Sequence, residues 1–354
     1  MTNEDIFRFE KEELKTINEP FNFACIGLAH SHIYGMTRSL ISAGASLKWV
    51  YDEDKDAVNE FIKKYPEVRV TECIDEILSD SEIHLIASAD IPSRRASLAI
   101  KCMQSGHHFF VDKAPALTLH ECDEIERVQR ETGRKYFVYY SELIENDAAI
   151  FARDLIRRGI LGRLYHIEIV APHRLNPPSR PLWFWNKELT GGIITDIGSH
   201  QIEQFLEFTG SAKARVTTAT ANNFFHPEYP EFEDFGCATL ESNTGVTGYI
   251  RVDWMSPDGL KTFGDLRLML LCEKGYIELR KNCDIGHSDG GNNVYVVTND
   301  GVYSDTVSGK VQKTYFNKLI CDCLEGSESA MPREMVYSAM RLTVEAQNMA
   351  DKNR

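Results

Sequence analysis

The sequence has no long apolar run, no excess of basic residues and no cysteine pair of the Cys-x-x-Cys type. No stretch approaches the roughly 18 apolar residues that a membrane-spanning helix needs, so we expect none. The 53 acidic residues outnumber the 39 basic ones and give a net charge of −14, which disfavours a nucleic-acid partner. Without a zinc-ligand spacing or a disulfide framework, the nine scattered cysteines are expected to be mostly small core residues.

The length and the start of the chain predict its domain organisation. The 354 residues suffice for two domains, each with its own core. Residues 1–20 are polar and charged and lack both a basic segment and an apolar run, so we interpret them as a surface extension. A change of pattern divides the remainder into domains at 21–143 and 144–354. We expect a soluble, cytoplasmic protein.

The first of these domains alternates strand-length apolar runs with amphipathic stretches. Strands are predicted at 23–26, 47–51, 83–88, 109–111 and 136–139. Helices are predicted at 33–43, 54–64, 93–105 and 119–132. This alternation is typical of an α/β fold with a doubly wound parallel sheet and crossover helices.

The second domain follows a different pattern after a bridging helix at 147–158. Strands are predicted at 165–170, 215–221, 236–240, 245–252, 266–271, 276–280 and 293–298. Two closing helices are predicted at 314–324 and 333–349. Strands without intervening helices indicate a large, mostly antiparallel open sheet in an α+β domain.

A partial glycine loop joins the first predicted strand to the first helix. In the dinucleotide-binding pattern G-x-G-x-x-G, the glycines make a turn, admit the pyrophosphate and allow close helix packing. Only Gly27 is present here, with Ala29 and His32 at the second and third glycine positions. We interpret His30 and His32 as lining the pyrophosphate or nicotinamide side, with a structural role or a metal site as the alternatives.

Asp52 ends the next predicted strand, 25 residues after Gly27 and near the spacing of the acid that binds the adenosine ribose. Glu53 and Asp54 are also acidic and would repel a 2′-phosphate. NAD is therefore favoured over NADP as the cofactor. The alternative is that these acids cap the following helix.

A glycine pair, Gly191-Gly192, precedes an acid and a histidine four residues apart, Asp196 and His200. On a helix that begins near the glycines, the two side chains lie on one face, one turn apart. Such a pair can orient a substrate hydroxyl and remove its proton. Glu203 extends the same face, but two or three ligands on one helix need another from elsewhere, so no metal site is predicted.

These motifs resemble, in their order, the Gfo/Idh/MocA family of oxidoreductases. The resemblance rests on the glycine loop, on Gly106 to Pro115, on Gly159-Ile160-Leu161-Gly162 and on the Gly-Gly to Asp-x-Gly-x-His stretch. It implies an N-terminal Rossmann domain for a nicotinamide cofactor and a C-terminal domain for substrate and oligomer contacts. The chain departs from the family at Tyr140-Ser141-Glu142, which lacks the arginine often found there.

The same resemblance suggests site residues. The family's Glu-Lys-Pro motif is matched by Asp112 and Lys113, with Ala114 inserted before the proline, and Lys113 resembles the catalytic lysine. Asp196 and His200 resemble the catalytic acid and histidine. The expected cofactor-binding residues are Gly27, Ala29, His30, His32, Asp52, Ser88, Asp112 and Lys113.

The predicted function is hydride transfer between nicotinamide and a secondary alcohol of a sugar, polyol or glycoside. Four residues between a strand and the glycine pair are interpreted as a substrate wall: His173, Arg174, Trp183 and Trp185. Their alternative role is packing. The alternative functions are an NAD-dependent glycoside hydrolase that oxidises its substrate transiently and a non-catalytic nucleotide sensor. A homodimer or homotetramer assembled through the C-terminal sheet is expected.

Overall fold

The computed structural model describes residues 2–287 and 290–353. The chain forms two compact units. The N-terminal unit comprises Glu13–Tyr139 and Thr314–Tyr337, and the C-terminal unit comprises Met1–Glu12, Tyr140–Lys313 and Ser338–Arg354. The domain boundaries drawn from the sequence remain predictions. Among the described residues, no helix combines the length and the apolar character needed to span a membrane.

The chain begins with a short helix, α1 (Asn3–Ile6), that packs within the C-terminal unit. Ile6 is fully buried, and the ring of Phe7 stacks on that of Phe151 with centroids 5.3 Å apart. The guanidinium of Arg158 donates to the carbonyl oxygen of Ile6 at 3.0 Å. The start of the predicted surface extension is therefore packed, because apolar residues such as Ile6 and Phe7 interrupt its polar sequence.

The N-terminal unit contains a parallel sheet of six strands in the order β3-β2-β1-β4-β5-β6. The strands are β1 (Asn22–Ile26), β2 (Ser46–Tyr51), β3 (Arg69–Val70), β4 (Leu85–Ser88), β5 (His108–Asp112) and β6 (Tyr136–Tyr139). The central strands are buried along their whole length, which explains their continuous apolar runs. The strand order reverses between β1 and β4, where open α/β sheets bind their ligands. The prediction of a doubly wound parallel sheet is confirmed.

Crossover helices connect these strands. They are α2 (His32–Ser42), α3 (Lys55–Lys64), α4 (Ile74–Leu78), α5 (Pro92–Gln104) and α6 (Leu119–Thr132). Both ends of helix α6 are marked by residues in the sequence. Thr118 and Glu121 form a capping box at its start, and Gly133 ends it in the left-handed conformation at φ 66°.

The C-terminal unit contains an eight-stranded sheet in the order β14-β13-β12-β11-β7-β10-β9-β8. The strands are β7 (Leu164–Pro172), β8 (Ala214–Asn222), β9 (Phe235–Ser242), β10 (Thr247–Asp253), β11 (Arg267–Cys272), β12 (Gly275–Arg280), β13 (Asn293–Thr298) and β14 (Gly301–Thr306). Only the pairing of β7 with β10 is parallel. The predicted mostly antiparallel sheet is confirmed. Strand β14, which the sequence analysis missed, exposes every second residue, so it has no continuous apolar signal.

Helices complete both units. They are α7 (Ser141–Ile144), α8 (Asp147–Arg157), α9 (Lys187–Thr190), α10 (Ser199–Thr209), α11 (Tyr315–Glu325) and α12 (Arg333–Lys352). Helices α8 and α10 pack on the eight-stranded sheet. Helix α11, which the sequence places in the second domain, packs within the N-terminal unit, where Phe316 meets Phe110 edge to face at 5.9 Å.

Candidate active site

Gly27 follows β1 directly, and the backbone there requires glycine. Its φ of +83° lies in the left-handed region. A Cβ atom at this position would stand 2.5 Å from the Cβ of Asp90, which follows β4. Both the turn and the close approach of the two strand ends therefore depend on the absence of a side chain at Gly27. The first glycine of a dinucleotide loop has this same role.

Two of the backbone N–H groups in the loop after Gly27 are available to donate hydrogen bonds. The N–H of Leu28 donates to Asp52 Oδ2 at 2.6 Å, and the N–H of His30 donates to the carbonyl oxygen of Ala89 at 2.9 Å. In the described part of the chain, no partner is found for the N–H groups of Ala29 and Ser31. These two donors precede the N-terminus of α2 and are suited to a phosphate oxygen.

His32 occupies the third glycine position without displacing α2. Its ring points towards Asp112 and packs edge to face on Tyr139 at 5.6 Å. The close approach of helix to sheet occurs one turn later at Gly35, where a Cβ would lie 2.8 Å from the Tyr139 hydroxyl. The His32 side chain is thus turned away from the contact between helix and sheet, and Gly35 allows the packing that the pattern assigns to its third glycine.

A cleft of about 420 Å³ lies on the β2 side of the glycine loop. It is lined by Gly27, Tyr51, Asp52, Glu53, Asp90, Arg94 and Lys101, among others. Both cations have carboxylate partners, Arg94 with Glu53 at 3.3 Å and Lys101 with Asp75 at 2.8 Å. Burial raises the pKa of the Asp90 carboxyl.

The three consecutive acids at the end of β2 have different roles in the protein. Asp54 caps α3 by accepting from the N–H groups of Asp56 and Ala57, as the capping alternative predicts. Glu53 pairs with Arg94. Asp52 bonds to the glycine loop through Oδ2 and accepts from the N–H of Asp54 through Oδ1 at 2.7 Å.

On the other side of the loop, the buried Asp112 carboxylate at the end of β5 gathers four donors. Oδ1 accepts from His32 Nδ1 at 2.7 Å and from the N–H of Lys113 at 2.8 Å. Oδ2 accepts from His30 Nδ1 at 3.1 Å and from the Arg95 guanidinium at 3.2 Å. The structure thus brings together four of the predicted cofactor-site residues, His30, His32, Asp112 and Lys113.

The charges of this cluster are set by burial and by its cation. Burial alone would raise the pKa of Asp112, but His32 and Arg95 hold it well below its ordinary value. Burial also lowers the pKa of His30 to about 4, so this imidazole is neutral at physiological pH.

Arg95 is a site residue that the sequence analysis missed. It is 1% exposed, and its guanidinium also donates to the carbonyl oxygens of Asp90, Lys113 and Ala114. It therefore ties the segment after β4 to the segment after β5. The signal was its place on the buried face of α5, between Pro92 and Ala99, where every other buried residue is apolar.

His30, His32 and Asp112 are also the one group of three His, Cys, Asp or Glu residues in 2–287 and 290–353 that could hold a metal ion. Their ligand atoms lie within 4.8 Å of one another. The Arg95 guanidinium beside Asp112 opposes a divalent cation there, and the four accepted hydrogen bonds already occupy the carboxylate. The three side chains therefore form a hydrogen-bonded cluster, and the absence of a metal site stays a prediction.

In the C-terminal unit, the glycine pair precedes a π-helical turn, Ile194–Gly198, which continues into α10. Gly192 has φ +93°, and a Cβ there would lie 2.6 Å from both Gln347 Cδ and Glu233 Oε2. These two side chains cap the turn. Gln347 Oε1 accepts from the N–H of Ile194 at 3.0 Å, and Glu233 Oε2 accepts from that of Ile193 at 3.0 Å. Gly192 makes room for the caps that fix the segment carrying Asp196 and His200.

Asp196 lies in the π-helical turn and lines a narrow pocket. The aromatic residues Phe184, Trp185, Phe232 and Trp254 form much of its wall. Arg180 lies over the rings of Phe184 and Trp254, 4.5 and 4.7 Å from their centroids. Burial lowers the pKa of Arg180, and the charge of Asp196 opposes that shift, so the two side chains interact electrostatically.

His200 is buried in the first turn of α10, with its ring 6.2 Å from that of Tyr140. Near it lies Glu142, a second residue that the sequence analysis did not assign to the site. Glu142 Oε2 accepts hydrogen bonds from Gln201 Nε2 at 2.8 Å, Lys281 Nζ at 3.2 Å and Gln204 Nε2 at 3.4 Å.

The charge of Glu142 interacts with those of His200 and His173. Burial alone would raise the pKa of Glu142. The charge of Lys281, followed by those of His200 and His173, instead lowers it to about 2. Glu142 is therefore a carboxylate at physiological pH. Its presence where the family often has an arginine was the one sequence signal.

Glu203, the third member of the predicted helix face, lies in a buried position. It is 2% exposed, and neither carboxyl oxygen has a hydrogen-bond partner in the described structure. Burial raises its pKa well above the ordinary value, which favours the neutral form of the side chain.

The four predicted substrate residues have different surroundings. His173 Nε2 lies 3.9 Å from Glu142 Oε1. Arg174 donates to backbone carbonyls of the segment 257–260, and Trp185 stacks on Tyr229 with centroids 4.1 Å apart. Trp183 packs against the same aromatic cluster. Their contacts with substrate stay predictions. Of the four residues, His173 has the surroundings that best suit a substrate contact.

Two domain families match the sequence. Residues 21–140 match the family described as an oxidoreductase family with an NAD-binding Rossmann fold. Residues 150–278 match the GFO/IDH/MocA C-terminal domain.

The chain is also similar to individual proteins. A crystal structure of a protein described as an oxidoreductase from Erwinia carotovora atroseptica SCRI1043 is 44% identical, with a TM-score of 0.91 over 93% of this chain and 98% of that one. D-xylose dehydrogenase of Paenarthrobacter nicotinovorans is 26% identical over 212 residues, 56% of this chain and 54% of that protein. The NADP(+) scyllo-inositol 2-dehydrogenase of Bacillus subtilis strain 168 is 27% identical over 182 residues, 51% of this chain and 49% of that protein. The chain thus spans about half the length of these curated relatives.

Proposed function

Because the chain belongs to the Gfo/Idh/MocA family of oxidoreductases, we propose that it transfers a hydride between a nicotinamide cofactor and a secondary alcohol of a sugar or polyol. The observation that carries this proposal is the arrangement around Gly27. The loop has a ribose-side acid, Asp52, on one flank and the Lys113 motif on the other. A xylose dehydrogenase and an inositol dehydrogenase among the relatives support the substrate class.

The residues of the N-terminal unit fit a dinucleotide. The N–H groups of Ala29 and Ser31 would hold the pyrophosphate at the start of α2. Asp52, with Glu53 beside it, would hold the adenosine ribose in the cleft on the β2 side. When bound, nicotinamide supplies the acceptor or donor of the hydride.

The catalytic roles are assigned to three side chains. His200 accepts the proton of the reacting hydroxyl as a general base. The ammonium of Lys113 stabilises negative charge on that oxygen. Asp196 binds a neighbouring hydroxyl or orients the imidazole. The aromatic wall beside Asp196 suits the apolar faces of a sugar ring.

We propose NAD rather than NADP as the cofactor. The cleft beside Gly27 presents three carboxylates, Asp52, Glu53 and Asp90, and both of its cations already have acidic partners. A 2′-phosphate would add two negative charges next to these acids.

We also propose self-association through the open face of the eight-stranded sheet. The face that α8 and α10 leave uncovered exposes Met269 and Leu271 of β11. Sedimentation velocity of the wild type and of Leu271→Lys tests this proposal, with a smaller species expected for the variant. A monomeric wild type would contradict it.

The function is tested by denaturing the purified protein, identifying any released nicotinamide and then following its reduction with a panel of sugars, inositols and glycosides. Net reduction with a sugar or polyol is expected. Lys113→Met should lower kcat by about a hundredfold, the scale of one transition-state donor, and leave NAD affinity intact. The exposed Lys63→Met is the matched control. Glycosidic cleavage without net reduction would favour the hydrolase, and NAD binding without turnover would favour the sensor.

A further inference from the structure

A second cavity of the C-terminal unit has no part in the chemistry proposed above. It has a volume of about 290 Å³ and is lined by Phe225, His226, Trp254, Ser256 and Asp258, among others. Building on the proposed function, we propose that this Phe225 cavity binds a second, neutral sugar ring of the substrate. The alcohol that the protein oxidises then belongs to a disaccharide or a related glycoside.

The Phe225 cavity adjoins the pocket that contains Asp196, because Trp254 lines both. The ring of His173, one of the predicted substrate residues, lies edge to face against Trp254 with centroids 5.6 Å apart. The N–H of Ser256 donates to the carbonyl oxygen of His173 at 3.1 Å. A ligand that is held beside Asp196 and extends past Trp254 would therefore enter the Phe225 cavity.

The loop that carries Phe225 is fixed by buried groups. The carboxylate of Asp234, which is 0% exposed, accepts from the N–H of Phe224 at 2.9 Å and from that of Phe225 at 2.8 Å. Asn223 Nδ2 donates to the carbonyl oxygen of His226 at 2.8 Å. The wall of the cavity is thus formed before any ligand binds, as in most small-molecule sites.

The wall offers the groups that bind a sugar ring. Phe225 is 68% exposed, and with Trp254 it provides aromatic surface for the apolar faces of the ring. Ser256 is only 9% exposed, and its Oγ has no hydrogen-bond partner in the part of the chain that the structure describes. A buried hydroxyl without a partner is unfavourable, and a hydroxyl of the sugar would supply that partner.

The size and the charge of the cavity limit the ligand further. Its volume of about 290 Å³ is close to the lower end of the roughly 300–1,000 Å³ found for small-molecule sites, which suits a single ring. Two carboxylates, Asp234 and Asp258, line it. His226 Nδ1 already lies 3.3 Å from Glu228 Oε1. A neutral ring is therefore favoured over a sugar acid or a sugar phosphate.

The test compares sugars that share the reacting ring. Steady-state kinetics measures kcat and KM for the monosaccharide that the sugar panel identifies and for disaccharides in which one of its other hydroxyls carries D-glucose. At least one disaccharide should have a KM about tenfold lower than that of the monosaccharide, because the second ring adds contacts in the Phe225 cavity. A KM that is equal or higher for every disaccharide would overturn the proposal.

Two variants each remove one contact of the cavity. Phe225→Ser and Ser256→Ala should each raise the KM of that disaccharide by about fivefold. The KM of the monosaccharide and the affinity for NAD should stay unchanged. Phe224→Ser is the matched control, because Phe224 is 58% exposed on the same loop and is not among the described residues that line the cavity. An unchanged disaccharide KM in both variants would overturn the proposal.

Two further measurements separate this proposal from its alternatives. If Phe225→Ser changes the sedimentation velocity of the protein, a second copy of the chain covers the cavity and the proposal is wrong. Thermal unfolding of Ser256→Ala should match that of the wild type, because the hydroxyl it removes has no partner in the described structure.

A wild type that oxidises neither kind of sugar would refute the proposed function instead. Titration calorimetry with cellobiose, maltose and lactose then remains a separate test of the Phe225 cavity. Binding that is lost in Phe225→Ser and retained in Phe224→Ser is the expected result, and the absence of binding to all three disaccharides would overturn the proposal.

Discussion

The carboxylate of Glu142 and the ammonium of Lys281 form a buried ion pair, with Oε2 and Nζ 3.2 Å apart. The Lys281 side chain is 2% exposed, and it also donates to Gln204 Oε1 at 3.0 Å. Burial lowers the pKa of Lys281, and Glu142 opposes that shift. The cost of burying each charge is offset by its partner, which makes the pair sensitive to loss of either member.

Lys281→Met should destabilise the protein by about 3–5 kcal/mol, because it leaves Glu142 buried without its cation. Urea unfolding measures the change. Glu142→Gln combined with Lys281→Met removes both charges and should recover at least part of the loss. A single variant as stable as the wild type would show that the pair is not needed for folding.

Glu142 should also make stability depend on acid pH. Its pKa of about 2 in the folded protein lies below the ordinary value, so its contribution to stability is present above about pH 4.5 and is lost as the pH falls towards 2. The full loss would be about 3 kcal/mol by the linkage relation. The free energy of unfolding, measured with urea, should therefore fall more steeply between pH 4.5 and 3 for the wild type than for Glu142→Gln. Equal slopes would contradict the assignment.

Much of the fold was predictable because its signals are local. Helix α6 has the predicted bounds 119–132, since a capping box and a terminal glycine mark both of its ends. The buried strands of the parallel sheet are continuous apolar runs. Strand β14 was missed because it is half-exposed and its second half, Ser304-Asp305-Thr306, is entirely polar.

The candidate site was less predictable because its supporting contacts are distant in sequence. Gln347 caps Ile194 across 153 residues, and nothing in the local pattern of either segment shows it. Arg95 and Glu142 could only be suspected, the first from its place on an apolar helix face and the second as a departure from the family pattern. The sequence motif indicates which residues carry the chemistry, and these packing contacts hold them in position.

Gly27→Ala should abolish NAD binding in calorimetry. The added Cβ meets Asp90 at 2.5 Å, and the left-handed φ of +83° strains any other residue. Gly133→Ala is the matched control, because Gly133 also has a positive φ but has open space around its Cβ position. It should cost about 1 kcal/mol of stability and leave NAD affinity unchanged. Retained NAD binding in Gly27→Ala would show that the cofactor lies elsewhere.

NAD should bind at least about tenfold more tightly than NADP, a difference of about 1.4 kcal/mol. The physical reason is repulsion between the 2′-phosphate and Asp52 with its neighbour Glu53. Asp52→Ser should reduce the difference between the affinities for NAD and NADP. Asp56→Ser, at an exposed position in the first turn of α3, should leave this difference unchanged. Calorimetry with both cofactors measures these affinities, and equal affinities in the wild type would refute the assignment of NAD as the cofactor.

His200 is the proposed general base. His200 must be neutral to accept a proton, so kcat/KM for alcohol oxidation should fall as the pH drops through the imidazole pKa, ordinarily about 6.5. His200→Asn should lose this acidic limb and lower the rate by about a hundredfold or more, yet still bind NAD. Removing a nearby negative charge favours the neutral imidazole, so Glu142→Gln and Asp196→Asn should each move the limb to lower pH. His166→Asn, on the open sheet, is the control and should behave as the wild type. If His200→Asn keeps the wild-type kcat and pH profile, another residue is the base.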